Sequence, residues 1–198
     1  QDAEFDVATP TLRQTGRLQR LAPAAVGPGW VALPNTIGFI DPLHSTGIAH
    51  ALSGVERLAG IFTQDSVCTD ELSRYGESVY SELNLIDQLI AGCYKMMPSK
   101  RHFEAYCMLY FAAAHSYETC RKELVSSKQA PGIFLLNEPQ MIEVIRKGYH
   151  LATEIAETQR WDEPDLFEQQ IRELISPFDQ IGLCNPDVHS MYGYTAVL

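Results

Sequence analysis

The sequence has no run approaching the roughly 20 apolar residues that a membrane helix needs, no CxxC pair, no HExxH and no concentrated basic patch. Each absence closes a class of function. Without a long apolar run, no membrane association is expected. The 25 acidic residues outnumber the 15 basic ones, and the formal charge of −10 repels polyanions. Arg13, Arg17 and Arg20 are too dispersed to make a nucleic-acid surface, so no nucleic-acid partner is expected. Cys68, Cys93, Cys107, Cys120 and Cys184 are odd in number and widely spaced. That pattern predicts reduced thiols, a cytoplasmic location and no metal site. The first residues, Gln1-Asp2-Ala3-Glu4-Phe5-Asp6, have neither the basic nor the apolar region of a secretory signal and do not begin with Met; a piece of something longer is the expectation.

What is present is an ordinary globular balance of 45% apolar and 20% charged residues. Up to about residue 44 the chain is rich in Pro and Gly, with a short β-type run Trp30-Val31-Ala32-Leu33 closed by the breaker pair Pro34-Asn35. Helices follow. The first, about 46–62, places Ile48, Leu52, Val55, Ala59 and Phe62 on one face, which is predicted to be buried. A second, about 68–97, carries Leu72, Val79, Leu83, Ile86, Leu89, Ile90 and Cys93, with a break expected near Gly76. The third, about 99–125, displays Phe103, Tyr106, Tyr110, Phe111, Ala114 and Tyr117. Asn137-Glu138-Pro139 opens a helix to about 160, Asp162-Glu163-Pro164 opens a shorter one, and 178–198 reads as an ordered irregular tail. The expected fold is mainly α, a helical region 63–198 preceded by a short β and loop portion within 1–62.

One stretch combines elements that chemistry can use. A strand, a Pro-Asn turn, the loop Gly38-Phe39-Ile40-Asp41-Pro42 and a helix beginning at Ser45-Thr46-Gly47 leave unpaired amides at a helix start. Asp41-Pro42 fixes the loop, and Gly47 permits close approach to the backbone. On the residues alone, an anion site and a plain helix cap both remain open.

The run Ile37-Gly38-Phe39-Ile40-Asp41-Pro42-Leu43-His44-Ser45-Thr46-Gly47-Ile48, following Trp30-Val31-Ala32-Leu33-Pro34, is similar to the last FAD-binding motif of the flavin-dependent halogenases. These form a branch of the aromatic-hydroxylase-type flavoproteins. Leu85–Tyr94 and Tyr106–Ala114 resemble the helical C-terminal region of that family. The resemblance identifies the chain with the C-terminal portion of a tryptophan-halogenase-like or monooxygenase flavoprotein. It implies FAD as cofactor, with Asn35, Asp41, Pro42, Ser45, Thr46 and Gly47 at the flavin and halide near the amides of Thr46 and Gly47. The implied chemistry is a flavin hydroperoxide that hydroxylates an aromatic or other apolar small molecule, or is attacked by halide. Two positions depart from the family: His44 stands where tryptophan halogenases carry a glutamate, and Pro34-Asn35 where many relatives have Gly-Asp. No Gly-x-Gly-x-x-Gly follows a strand here. The implied partner is therefore a missing N-terminal FAD-binding portion, without which the chain is expected to be inactive.

Single residues have rival uses. His44 is a candidate acid or base at neutral pH, or a space-filler at the helix start. His50, six residues on, is expected at a surface, and His102, His115, His150 and His189 show no ligand spacing. Phe103, Tyr106 and Tyr110 are candidates for a substrate pocket, with core packing as the alternative. Asp87 is either a buried partner or solvated. A non-catalytic helical interaction domain retaining the flavoprotein-like loop is the competing view of the whole chain.

Overall fold

In the computed structural model, residues 18–123, 132–136 and 138–183 are described. Proline and glycine shape the first of them. β1 (Arg20–Leu21) pairs antiparallel with β4 (Gly38–Phe39), Arg20 opposite Phe39, while β2 (Val26–Gly27) turns back onto β3 (Trp30–Val31). Gly29, at φ 77°, makes that turn. Pro34 does not simply close a strand, as the sequence suggested. It opens α1 (Pro34–Ile37), where a residue lacking N–H costs nothing because the first helical amides are unpaired anyway.

The helices follow as α2 (Thr46–Phe62), α3 (Thr69–Met96), α4 (Lys100–Glu123), α5 (Pro139–Thr158) and α6 (Pro164–Ile175), with a 3-10 turn at Ile133–Leu135. None of the described helices is long and apolar enough to cross a membrane. The expected continuation of α4 to 125, Asn137 of the expected helix opening and the tail beyond 183, with Cys184 and His189, lie outside the described residues. The expected break at Gly76 does not occur. α3 runs unbroken for 28 residues, about 42 Å at ~1.5 Å per residue. Asp70 and Glu71 in its first turn and Lys95 in its last complement the helix dipole. Gly76 instead admits the β2 strand, since a Cβ there would lie 3.1 Å from the Cβ of Ala25.

Two apolar clusters form the core. The larger unites Leu89 and Met96 of α3, Tyr106 and Leu109 of α4, Met141 and Ile145 of α5, and Phe167 and Ile171 of α6. The smaller joins Ala25, Ile37 and Leu58 to Tyr75, Val79 and Leu83 of α3. The boundary expected at 62/63 falls between α2 and α3, and α3 contributes to both clusters.

α2 is inverted relative to expectation. Ile48, Leu52, Val55 and Phe62 are 47 to 69% exposed, and the buried residues are Thr46, His50, Ser53, Gly54 and Leu58. The physical reason lies on the inner side. Gly54 packs where a Cβ would come within 2.4 Å of Pro34 Cδ, and His50 reaches a buried carboxylate on α3. His50 is thus a buried residue, not the surface histidine expected. Asp87 is exposed.

Candidate functional site

The loop between β4 and α2 is held by its own side chains. Asp41 Oδ1 accepts the Leu43 N–H at 2.8 Å, and Oδ2 accepts the hydroxyl of Tyr94 from α3 at 3.0 Å. Pro42 is helical, and its carbonyl accepts the Ser45 N–H at 2.9 Å, closing a 3-10 turn over Leu43–Ser45. The last two residues of this turn are left-handed, His44 at φ 61° and Ser45 at φ 53°. For side chains other than glycine each such conformation costs about 1–3 kcal/mol and persists only where its surroundings enforce it. Here Tyr110 of α4 does so, donating its hydroxyl to the His44 carbonyl at 3.0 Å. The chain then enters α2 with no side-chain capping bond from Ser45. The first-turn amides are thus not closed off by a cap, which removes the plain capping explanation for Ser45-Thr46.

Beside this turn lies an open groove of about 260 Å³, just below the usual size of an enclosed small-molecule site. The structure brings Asn35, Asp41, Pro42, Ser45, Thr46 and Gly47 together on its lining, with Ile86 and His50 from the interior side. Thr46 is buried on the groove lining, and its hydroxyl lies beside the Tyr110 phenol without a well-formed hydrogen bond. Gly47 keeps the adjacent backbone bare: an added Cβ would meet only Asn35 Oδ1, at 3.5 Å.

The other candidates are placed elsewhere. His44 is not on the groove. Its ring stacks on Tyr110 with centroids 4.4 Å apart and meets the edge of Phe111. Nε2 lies 3.5 Å from Cys93 Sγ and 3.7 Å from Cys107 Sγ, and the two sulfurs are 3.9 Å apart. The imidazole, a candidate acid or base by sequence, sits at the α3/α4 interface beside the groove and not on its lining. Histidine and cysteine do share a cluster, contrary to what their spacing implied. The bond from Cys93 draws the Cys107 thiol down, against burial, with His44 adding to the effect; the same bond and burial push Cys93 up. The pair therefore titrates as one unit. Tyr106 is fully buried, its hydroxyl donating to the Gln88 carbonyl at 3.0 Å, and Phe103 packs half-buried against the larger core. None of Phe103, Tyr106 and Tyr110 is on the groove lining.

One feature escaped the sequence reading. His50 Nε2 lies 2.9 Å from Glu82 Oε2, and Arg57 donates to both oxygens of the same carboxylate at 2.9 and 2.8 Å. Arg57 also donates to Ser78 Oγ at 2.9 Å and lies over the Tyr75 ring. Burial pushes the Tyr75 phenol up to about 12, with Arg57 opposing. His50 and Arg57 are seven residues apart, two helical turns on one face, and Glu82 falls at helical spacing among Val79, Leu83 and Ile86; that combination was the available signal. His50 couples this network to the groove wall.

A sequence model described as tryptophan halogenase matches residues 10–115, a span containing the groove, the His44 cluster and the Glu82 network. The crystal structure of halogenase PltM in complex with phloroglucinol and FAD is similar with a TM-score of 0.68 and 18% identity, over 85% of this chain and 38% of that one. The crystal structure of halogenase PltM gives 0.69 and 18% over the same shares. At this identity the likeness is one of fold, and the chain spans 38% of the length of those halogenases. No curated protein sequence matches the chain.

Proposed function

The chain belongs to the tryptophan halogenase family, and from that premise we propose that it is the flavin-facing helical portion of an FAD-dependent halogenase or monooxygenase acting on a small aromatic or otherwise apolar molecule. The observation that supports this most is the groove. Six residues assigned to flavin by resemblance, the buried Thr46 among them, line one cleft beside an uncapped helix start. These features fit an anionic, hydrogen-bonding planar group.

In this reading Asn35 and Asp41 flank the cofactor, Pro42 and Ser45 shape the turn, and the amides of Thr46 and Gly47 face the flavin and halide. Bound reduced FAD would supply activation of dioxygen. The protein's own part is to orient the cofactor, hold anionic charge at the α2 N-terminus and exclude water. Asp41 acts indirectly, since its carboxylate is bonded to Leu43 and Tyr94 and keeps the turn in place. Residues 1–62 then contribute one wall of the flavin domain and 63–198 the substrate side. The exposed stripe Ile48, Leu52, Val55 and Phe62 on α2 is the surface against which an N-terminal FAD-binding portion would pack. A cytoplasmic location accords with the free thiols.

Titration of the full-length protein with oxidised FAD tests the reading. A saturable change in the flavin spectrum is expected. Gly47→Ala should weaken binding by about tenfold or more, ~1.4 kcal/mol, without lowering the melting temperature, since a Cβ at that position has room. A full-length protein that leaves the flavin spectrum unchanged refutes the proposal and favours a non-catalytic interaction domain.

A further inference from the structure

The groove reading makes no use of the cluster formed by His44, Cys93 and Cys107. We propose that these three side chains bind a zinc ion, a site that does not depend on the flavin assignment. With Zn–S about 2.3 Å and Zn–N about 2.0–2.1 Å, a tetrahedral ion places two sulfur ligands about 3.8 Å apart and a nitrogen about 3.6 Å from each sulfur. The observed separations are 3.9 Å between the sulfurs and 3.5 and 3.7 Å from Nε2. Three ligand atoms therefore already occupy one face of a coordination tetrahedron.

The chemistry of the set agrees. Two thiolates and one neutral imidazole suit a borderline-soft cation better than Mg²⁺ or Ca²⁺, which take oxygen ligands. Both cysteines are buried, where an isolated thiolate is penalised. Two thiolates around a divalent cation are neutral overall, so the ion removes that penalty while the thiol protons leave to solvent. The fourth vertex is left for water, as in other three-ligand zinc sets.

Each ligand comes from a different segment: His44 from the turn before α2, Cys93 from α3 and Cys107 from α4. The left-handed conformation of His44 is what accompanies its ring's placement on the α3/α4 side. Coordination there staples the strained turn to the two helices beneath it, fixing the amides of Thr46 and Gly47 from behind. The ion is a positioning element for the groove, buried beside it and not on its lining.

The test is metal content and spectroscopy of the full-length protein purified under reducing conditions. Stoichiometric zinc is expected, lost in both Cys93→Ser and Cys107→Ser and retained in Cys68→Ser, whose thiol is exposed. Replacement by Co²⁺ should give the intense visible bands of a tetrahedral site together with thiolate-to-cobalt charge transfer in the near ultraviolet. His44→Ala should weaken the ion's hold in competition with a chromogenic chelator. Zinc retained by both serine variants overturns the proposal, as does recovery of Cys93 and Cys107 as a disulfide. Should the serine variants fail to fold, the wild-type cobalt spectrum decides: a spectrum without thiolate charge transfer overturns it.

Discussion

Glu82→Ala removes the acceptor shared by Arg57 and His50. The carboxylate side chain is 4% exposed, His50 3% and Arg57 13%, so both partners would be stranded in a largely dry site. Breaking a buried pair from one side costs about 3–5 kcal/mol, because the remaining charge loses its compensation. Arg57 retains Ser78 and some solvent access, which places the expectation near the lower end, about 3 kcal/mol. For a domain of this size each kcal/mol moves the melting temperature by roughly 2–4 °C, so Glu82→Ala should melt about 6–12 °C below wild type. Differential scanning calorimetry provides the readout. Arg57→Ala should lose a comparable amount, and the double variant should lose clearly less than the sum, by at least about 1.5 kcal/mol, since the two remove one interaction. Additive losses, or a Glu82→Ala protein within about 1 kcal/mol of wild type, would refute the assignment of this network as the link between α2 and α3.

Gly92→Ala on α3 should destabilise despite a better helix propensity. Its Cβ would fall 2.0 Å from Cζ of the fully buried Tyr106, and overpacking of ~1–3 kcal/mol outweighs the ~1 kcal/mol that alanine returns to a helix; a thermal melt above wild type would contradict this contact. His102 predicts a pH dependence. It is buried against Trp161 and Phe167, its Nδ1 lies 2.8 Å from Ser99 Oγ, and burial first, then Arg101, lowers its pKa from 6.5. The unfolded chain therefore binds the proton first, and stability falls as pH drops below about 6.5 toward the lower folded value. His102→Gln should flatten urea-measured stability between pH 7 and pH 5 relative to wild type, and an unchanged slope would show that His102 is not the group responsible.

Local pattern made much of the fold legible, and the exceptions have physical causes. α3, α4 and α5 were readable because their apolar residues recur at helical spacing and pack against other described elements. α2 obeyed the same spacing but faces the other way. Periodicity identifies an apolar stripe without saying what covers it, and its inner side is occupied by Gly54 and the polar contacts of His50 and Arg57. The groove residues lie mostly within one loop, so a short run of sequence carried them together. The His44 cluster could not be read in that way: 49 residues separate His44 from Cys93 and 63 separate it from Cys107, and only the crossing of α3 and α4 beneath the turn brings them together. The aromatic stripe on α4 was visible, but composition alone does not distinguish a pocket wall from a core, and Tyr106 belongs to the core.

The unbroken length of α3 has a consequence for how the molecule opens. Its first half closes the smaller apolar cluster through Tyr75, Val79 and Leu83, and its second half enters the larger one through Leu85, Leu89 and Met96. Glu82 sits at the changeover. A helix seated at both ends cannot release one cluster by fraying without bending across the other. The two clusters are therefore expected to exchange their amide hydrogens as one cooperative unit, with faster exchange in the short ribbons and the left-handed turn.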